Sequence, residues 1–248
     1  MLSLPKLKDI HKPDFIIANG ENLADGKGLT EKTASPMFSA GVQALTGGNH
    51  LWDRQESLDY IKQNGHIVKP MNYPDQTPGA ICCYLQKGDL ELGILSLCGQ
   101  IYMPPCDNPF NVLARFWENR HENIPYIMDF HAESTSEKRA LAWFADGRLS
   151  AILGTHTHIQ TADEEILPQG CAYITDVGMT GSHDSVIGVQ KEIIIRKMQS
   201  GIPSPYKSSD WGLEVNAVVV EINPDTLKAT SIRRIKERVP NNMAGIND

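Results

Sequence analysis

The stretch YIMDFHAESTSEKRALAWFADGRLSAILGTHTH, residues 126–158, decides the fold. Tyr126–Phe130 reads as a short apolar strand, Ser136–Ala145 as a helix and Ala151–Leu153 as a second strand. A strand, a helix and a strand in that order form a crossover whose strands run parallel in one sheet. Polar, metal-capable residues sit where each strand stops. His131 follows YIMDF, and Thr155-His156-Thr157-His158 follows AILG.

The same arrangement occurs twice toward the amino terminus. Asp14–Ala18 (DFIIA) reads as a buried strand and is followed by Asn19-Gly20-Glu21-Asn22. Gln43–Thr46 (QALT) is a short strand followed by Gly47-Gly48-Asn49-His50. Helices are expected over Thr30–Ala40, with Thr30 as N-cap and Gly41 as stop, and over Asp53–Asn64, Phe110–His121 and a stretch near Val189–Gln199. Further strands are expected at His66–Lys69 and Ala172–Thr175. Ile81–Gln86 and Leu90–Leu97 form an antiparallel pair around Lys87-Gly88-Asp89, and a terminal hairpin joins Leu213–Ile222 to Ala229–Val239. This alternation predicts one layered α/β domain over residues 1–248, parallel in the middle and antiparallel at an edge. Carboxyl ends of strands in an open α/β sheet share one edge, so four separate polar segments are expected to converge there.

Composition narrows the function classes. The chain has 248 residues, 41% hydrophobic and 21% charged, enough for a core. Its mean hydropathy is −0.30, and no apolar run approaches the roughly 18 residues of a membrane span. The start, Met1 to Asp14, has no apolar signal-peptide core. A net charge of −7 argues against general nucleic-acid binding, which needs a basic face, but not against a small phosphate ester held by metal ions. Five cysteines without a C-x-x-C suggest neither a disulfide framework nor a zinc ribbon, so a reduced, cytoplasmic protein is expected.

The converging residues carry a particular chemistry. On an extended chain His156 and His158 face one side and can bind one ion or two adjacent ions. Glu21 is an acid directly after an apolar strand, and Asn49 and His50 follow two glycines that let backbone approach a ligand. Taken singly, each has an ordinary structural reading: a turn cap, a tight turn, a buried histidine. Their coincidence at one sheet edge favours a site. A carboxylate, an amide oxygen and three imidazoles suit iron, manganese or zinc better than calcium or magnesium, and the lack of cysteine ligands argues against a structural zinc. Two ions about 3.5–4 Å apart, bridged by a carboxylate, can hold a hydroxide and clamp a phosphoryl group. His50 lies beside a proposed ligand, and histidine is a residue type suited to donate a proton to the leaving oxygen. Asp129 and Glu133 flank His131, and either can orient its ring.

The order N-G-E-N, G-N-H, a lone strand-end histidine and H-T-H resembles the calcineurin-like metallophosphoesterases. More narrowly, the chain resembles the YmdB family of bacterial 2',3'-cyclic-nucleotide phosphodiesterases, through ANGENLADGKGLT (18–30), LTGGNHLWD (45–53), DFHAESTSEK (129–138), GTHTHIQTAD (154–163) and ITDVGMTG (174–181). The resemblance implies a sandwich of mixed sheets flanked by helices, a dinuclear metal site, a cyclic-nucleotide substrate and a homo-oligomer. It implies that Glu21 bridges both ions, that Asn49, His131 and His156 complete one site, that Asn22 and His158 serve the other, and that His50 is the proton donor. The family pattern opens with a strand carrying G-D, whose Asp ligates the first ion. Nothing before Asp14 matches it, and Asp9, in the helix-like segment LPKLKDIHK, is not assigned that role. The domain is therefore expected to be N-terminally incomplete. A rival reading follows: a non-catalytic protein that holds one ion and binds nucleotides. An amidohydrolase also uses H-x-H after a strand, but no eightfold strand–helix repeat supports it.

Overall fold

The computed structural model describes residues 3–121 and 123–239. The remaining residues of the expected 1–248 domain, including 240–248, lie outside the described part. The elements in chain order are α1 (Leu4–His11), β1 (Ile17–Asn19), α2 (Glu31–Ser39), β2 (Ala44–Thr46), a 3-10 turn (Gln55–Ser57) leading into α3 (Leu58–Gln63), and β3 (Ile67–Val68). Next come β4 (Cys82–Lys87), β5 (Leu90–Cys98), α4 (Pro109–Asn119), β6 (Tyr126–His131), α5 (Thr135–Ala145) and β7 (Ala151–Thr155). The last are β8 (Glu165–Ile166), β9 (Ala172–Ile174), β10 (Gly181–Ser182), α6 (Lys191–Ser200), β11 (Leu213–Ile222) and β12 (Ala229–Arg238).

Three sheets result. A six-stranded sheet runs β4-β5-β6-β7-β9-β8, and two three-stranded sheets run β1-β2-β3 and β10-β11-β12. In the large sheet β5, β6, β7 and β9 are parallel, while β4 and β8 pair antiparallel at the two edges. The β1-β2-β3 sheet is parallel and the β10-β11-β12 sheet antiparallel.

Strand periodicity explains the layers. In β6, Tyr126, Met128 and Phe130 point to one face and pack with Leu113 of α4 and Leu141, Ala142 and Ala145 of α5. Ile127 points to the other face, where Cys83, Leu85, Leu92 and Ile94 meet Ala44 and Val68 of the small parallel sheet. The β11–β12 hairpin covers the other half of that face, with Val220, Ala229 and Ile232 on Ala151 and Ala172. Outside the parallel sheet, α2 and α3 bury Ala34 and Ile61 against Leu45 and Ile67. Each large aliphatic or aromatic side chain so buried stabilises by about 1.5–3 kcal/mol over exposure. The layers are therefore helix, sheet, sheet, helix.

Register positions the site. Cys98 pairs with His131 and His131 with Thr155, so β5, β6 and β7 end level. Asn19 pairs with Thr46, so β1 and β2 also end level. Two expectations are corrected. The first strand starts at Ile17 rather than Asp14, because the Ile16 N–H bonds the Gln43 side chain at 2.9 Å instead of joining the ladder, while Asp14 pairs with Lys87 at 2.7 Å. The helix expected over 53–64 is a 3-10 turn followed by a short α-helix, with the Asp53 side chain drawn to His50 and buried Ser57 bonded to the Leu29 carbonyl.

Candidate metal centre

Glu21 reaches the site through a turn. The Asn19 side-chain oxygen accepts the Glu21 N–H at 3.1 Å, and Asn19 Nδ2 donates to Asp129 at 2.9 Å, which fixes the end of β1. Glu21 is 1% exposed, and its Oε1 lies 3.0 Å from His131 Nε2. Its Oε2 accepts the His50 N–H at 3.2 Å. The loop after β2 passes close to this pair. A Cβ at Gly48 would lie 2.2 Å from His131 Cδ2 and 2.4 Å from Glu21 Oε2, so only glycine admits both side chains.

The hydrogen bonds set the tautomer of His131. Asp129 is buried; it accepts from Asn19, from Thr46 Oγ1 and from Thr155 Oγ1, the last at 2.6 Å. Thr155 has one hydroxyl proton and gives it to Asp129. Its oxygen therefore accepts the Nδ1–H of His131 at 2.8 Å. Nε2 of His131 is then a lone pair. It faces Glu21 Oε1, Asn49 Oδ1 and His156 Nδ1, each at 3.0 Å. His156 turns its Nε2 to Glu133 Oε2 at 3.2 Å, which makes Nδ1 its lone-pair atom. Four acceptors facing one another repel unless a cation or an extra proton sits among them. One ligand atom from each of Glu21, His131 and His156 lies within 4.8 Å of the others.

A second group adjoins the first. Asn22 Nδ2 is 3.4 Å from His158 Nε2 and 3.5 Å from Glu21 Oε1. Asn22 Oδ1 and His158 Nδ1 are buried without a hydrogen-bond partner. Orphaned buried polar atoms are costly, and the Asn22 carbonyl oxygen is an acceptor that an ion can satisfy. By this test the residues present fit a metal site.

Electrostatics agree with that fit. Burial pushes the Glu21 carboxyl up, but positive charge at the His131 position, with the His50 N–H, holds it net below the usual value. Burial, reinforced by His131, pushes His156 down to about 4, and burial lowers His158 as well. The site thus favours an ionised Glu21 and neutral His156 and His158 imidazoles at neutral pH, the forms that bind metal. Asp129 is raised by burial, with the charge of His131 and the Thr155, Thr46 and Asn19 bonds opposing.

All seven residues singled out from sequence, His50 among them, lie in this one region. His50 Nδ1 is 2.8 Å from Asp53 Oδ2, and the His50 side chain is 32% exposed. Sequence reasoning missed Asp53; its i+3 spacing from His50 was the available signal. Asp129 orients His131 through the Thr155 hydroxyl, whereas Glu133 faces His156 instead. Trp52 packs on Tyr73, with ring centroids 4.8 Å apart, and donates its indole N–H to the Pro78 carbonyl at 2.8 Å.

Comparison with known proteins agrees over most of the chain. A family described as YmdB-like protein matches residues 1–235. A Bacillus subtilis (strain 168) protein named 2',3'-cyclic-nucleotide 2'-phosphodiesterase is 46% identical over 233 residues, covering 94% of this chain and 88% of that protein. A crystal structure of a hypothetical protein from Thermus thermophilus superposes with a TM-score of 0.90 at 38% identity, covering 96% of this chain and 92% of that one. The crystal structure of a Mycoplasma pneumoniae protein described as a novel phosphatase gives 0.89 at 35% identity, covering 95% and 86%.

Proposed function

This chain belongs to the family of YmdB-like proteins, and from that premise we propose that it is a metal-dependent phosphodiesterase that hydrolyses 2',3'-cyclic nucleotides. The observation that carries the reading is the convergence of Glu21, Asn49 and His156 on the lone-pair nitrogen of His131, each at 3.0 Å. In this reading Glu21, Asn49, His131 and His156 hold one ion, and Asn22 and His158, with Glu21 shared, hold the other. The nitrogen and oxygen donors, without cysteine, favour iron or manganese, with zinc also compatible. Bound there, such ions supply Lewis-acid charge toward the phosphoryl oxygens and lower the pKa of water in the site.

The chain's own residues account for the rest. Water adds to phosphorus, and the bond to one ribose oxygen breaks; the name of the Bacillus relative points to the 2'-oxygen. That oxygen leaves as an alkoxide unless it is protonated. Asp53 holds the Nδ1–H of His50, which keeps Nε2 as the nitrogen that delivers the proton. The product is a nucleoside monophosphate. Self-association is part of the reading, supported by the apolar side chains that α6 and the segment after it leave exposed, among them Met198 at 78% and Ile202 at 66%. A reducing, cytoplasmic setting is supported by five free cysteines. No helix among the described residues is long and apolar enough to cross a membrane.

The test is purified protein loaded with manganese or iron, assayed on 2',3'-cyclic AMP with the ions per chain counted. Two ions and turnover support the reading. Two ions with no cleavage of any 2',3'-cyclic nucleotide sink it. One ion with tight nucleotide binding and no cleavage would replace it with a binding protein.

A further inference from the structure

His156 and His158 both adopt left-handed backbone conformations, with φ of 96° and 67°. Residues other than glycine do so only where their surroundings impose it. Thr157, between them, supplies the constraint. Its N–H and its hydroxyl both donate to Asp176 Oδ2, at 2.9 and 2.8 Å. Asp176 Oδ1 accepts the Gly178 N–H at 2.8 Å. The Val177 N–H bonds the Gly154 carbonyl and the Met179 N–H bonds the His158 carbonyl, each at 2.9 Å. The loop after β7 is thus laced to the loop after β9 on both sides of the histidine pair.

A charge from a third element enters this lacing. Lys138 Nζ, from the first turn of α5, donates to the same Asp176 Oδ2 at 3.0 Å. Lys138 is 0% and Asp176 1% exposed. The backbone and hydroxyl donors of Thr157 and Gly178 already engage both carboxylate oxygens, so the lacing does not need a buried ammonium, which is costly to desolvate. Lys138 instead ties the lacing to α5. The turn into α5 carries Glu133, 3.2 Å from His156 Nε2, and its first turn carries Glu137, whose carboxylate accepts the Gln100 N–H at 2.8 Å. One helix end therefore contacts three segments that border the site.

We infer that Lys138 and Asp176 are positioning residues that hold Thr157 and so fix the separation and facing of the His156 and His158 rings across the two ion positions. The inference rests on the function proposed above. It predicts effects on ion binding and on the metal-free loop that simple loss of stability would not produce.

The test uses full-length Lys138→Met and Thr157→Val proteins. Mn(II) alone is titrated calorimetrically into the metal-free forms, and the Cα and Cβ chemical shifts of the histidines are recorded without metal. Both variants should lose about tenfold or more in affinity for the weaker ion, the scale of losing a group that orients a ligand. The kcat on 2',3'-cyclic AMP should fall more than KM changes, and the His156 and His158 shifts should leave their left-handed values. Thr157→Val keeps the side-chain shape and removes the hydroxyl bond to Asp176, so it tests the Asp176–Thr157 link even where Lys138→Met does not fold. A folded variant with wild-type Mn(II) affinity and unmoved histidine shifts overturns the inference, however far its melting temperature drops. A wild-type protein that takes up no Mn(II) and cleaves nothing overturns the proposed function instead, and the metal-free histidine shifts then decide positioning alone.

Discussion

The two halves of the proposed metal centre differ in how firmly they are built. Around His131 the Nδ1–H is held by Thr155 at 2.8 Å and through it by a buried carboxylate, so Nε2 is aimed at three acceptors 3.0 Å away. Around the His158 ring the nearest hydrogen-bonding contact is 3.4 Å, and both Asn22 and His158 keep a buried side-chain atom without a partner. The first half is preorganised by its own hydrogen bonds. The second is completed only by what binds there. The first should accordingly retain its ion tightly, and the second should exchange its ion more readily and respond more to small changes nearby.

The largest expected effect erases the difference between the halves. Glu21→Gln removes the carboxylate proposed to be shared by both halves, and turnover should fall to background with loss of both ions, read as metal per chain. Retention of one ion at wild-type affinity would show that Glu21 is not shared. Next, His50→Ala should lower turnover by about 10²–10⁴-fold with metal content unchanged, the usual size of a lost acid–base group. Asp53→Asn should cost less at the same metal content; equal loss of metal in either variant would reassign His50 to a structural role.

A third pair of variants separates the halves directly. Thr155→Val breaks the link from Asp129 to His131 and should weaken the tighter ion by about 10–100-fold. Asn22→Ala should weaken only the looser ion. Both ions weakening together in each variant, seen by calorimetry, would abolish the distinction. The smallest effect lies outside the site. Glu164 and Arg234 pair at 2.8 Å, and this bond holds the Glu164 carboxyl below its usual value against a smaller burial effect. The pair's contribution is therefore complete above pH about 4.5 and lost as pH falls through the lower folded value. For a half-exposed pair it should be under about 1 kcal/mol. Arg234→Ala should thus trim acid-side stability slightly in a pH series of melts; a change at pH 7 as large as that from Thr155→Val would contradict the view that charge matters chiefly when buried.

The layered fold was legible because its strands are short apolar runs with polar residues at their ends. The crossover from β6 through α5 to β7 follows from that pattern. Thr30 caps α2 as expected, its hydroxyl accepting the Thr33 N–H at 3.3 Å. β8 and β10 were not legible, because strands so short and without an apolar run of their own exist only through their partners. At the site, the residues that face the ion positions were legible from chemistry and placement after strands. Their supports were not. Asp129 acts through a threonine one strand away, and Asp176 reaches Thr157 across 19 positions of chain. Glu133 adjoins the strand-end histidine in sequence yet serves a different imidazole, because the turn into α5 carries it toward β7. Such contacts depend on where side chains point after folding, which spacing along the chain does not encode.

The level ending of β5, β6 and β7 carries a consequence for insertions and deletions. Side chains in a strand alternate faces, so removing one residue from within β6 would send the imidazole of His131 toward the helix layer and bring an apolar neighbour to the ion positions. The chain can lengthen or shorten in the connections at the opposite ends of these strands and keep its chemistry. Within the strands, parity is inherited as strictly as residue identity.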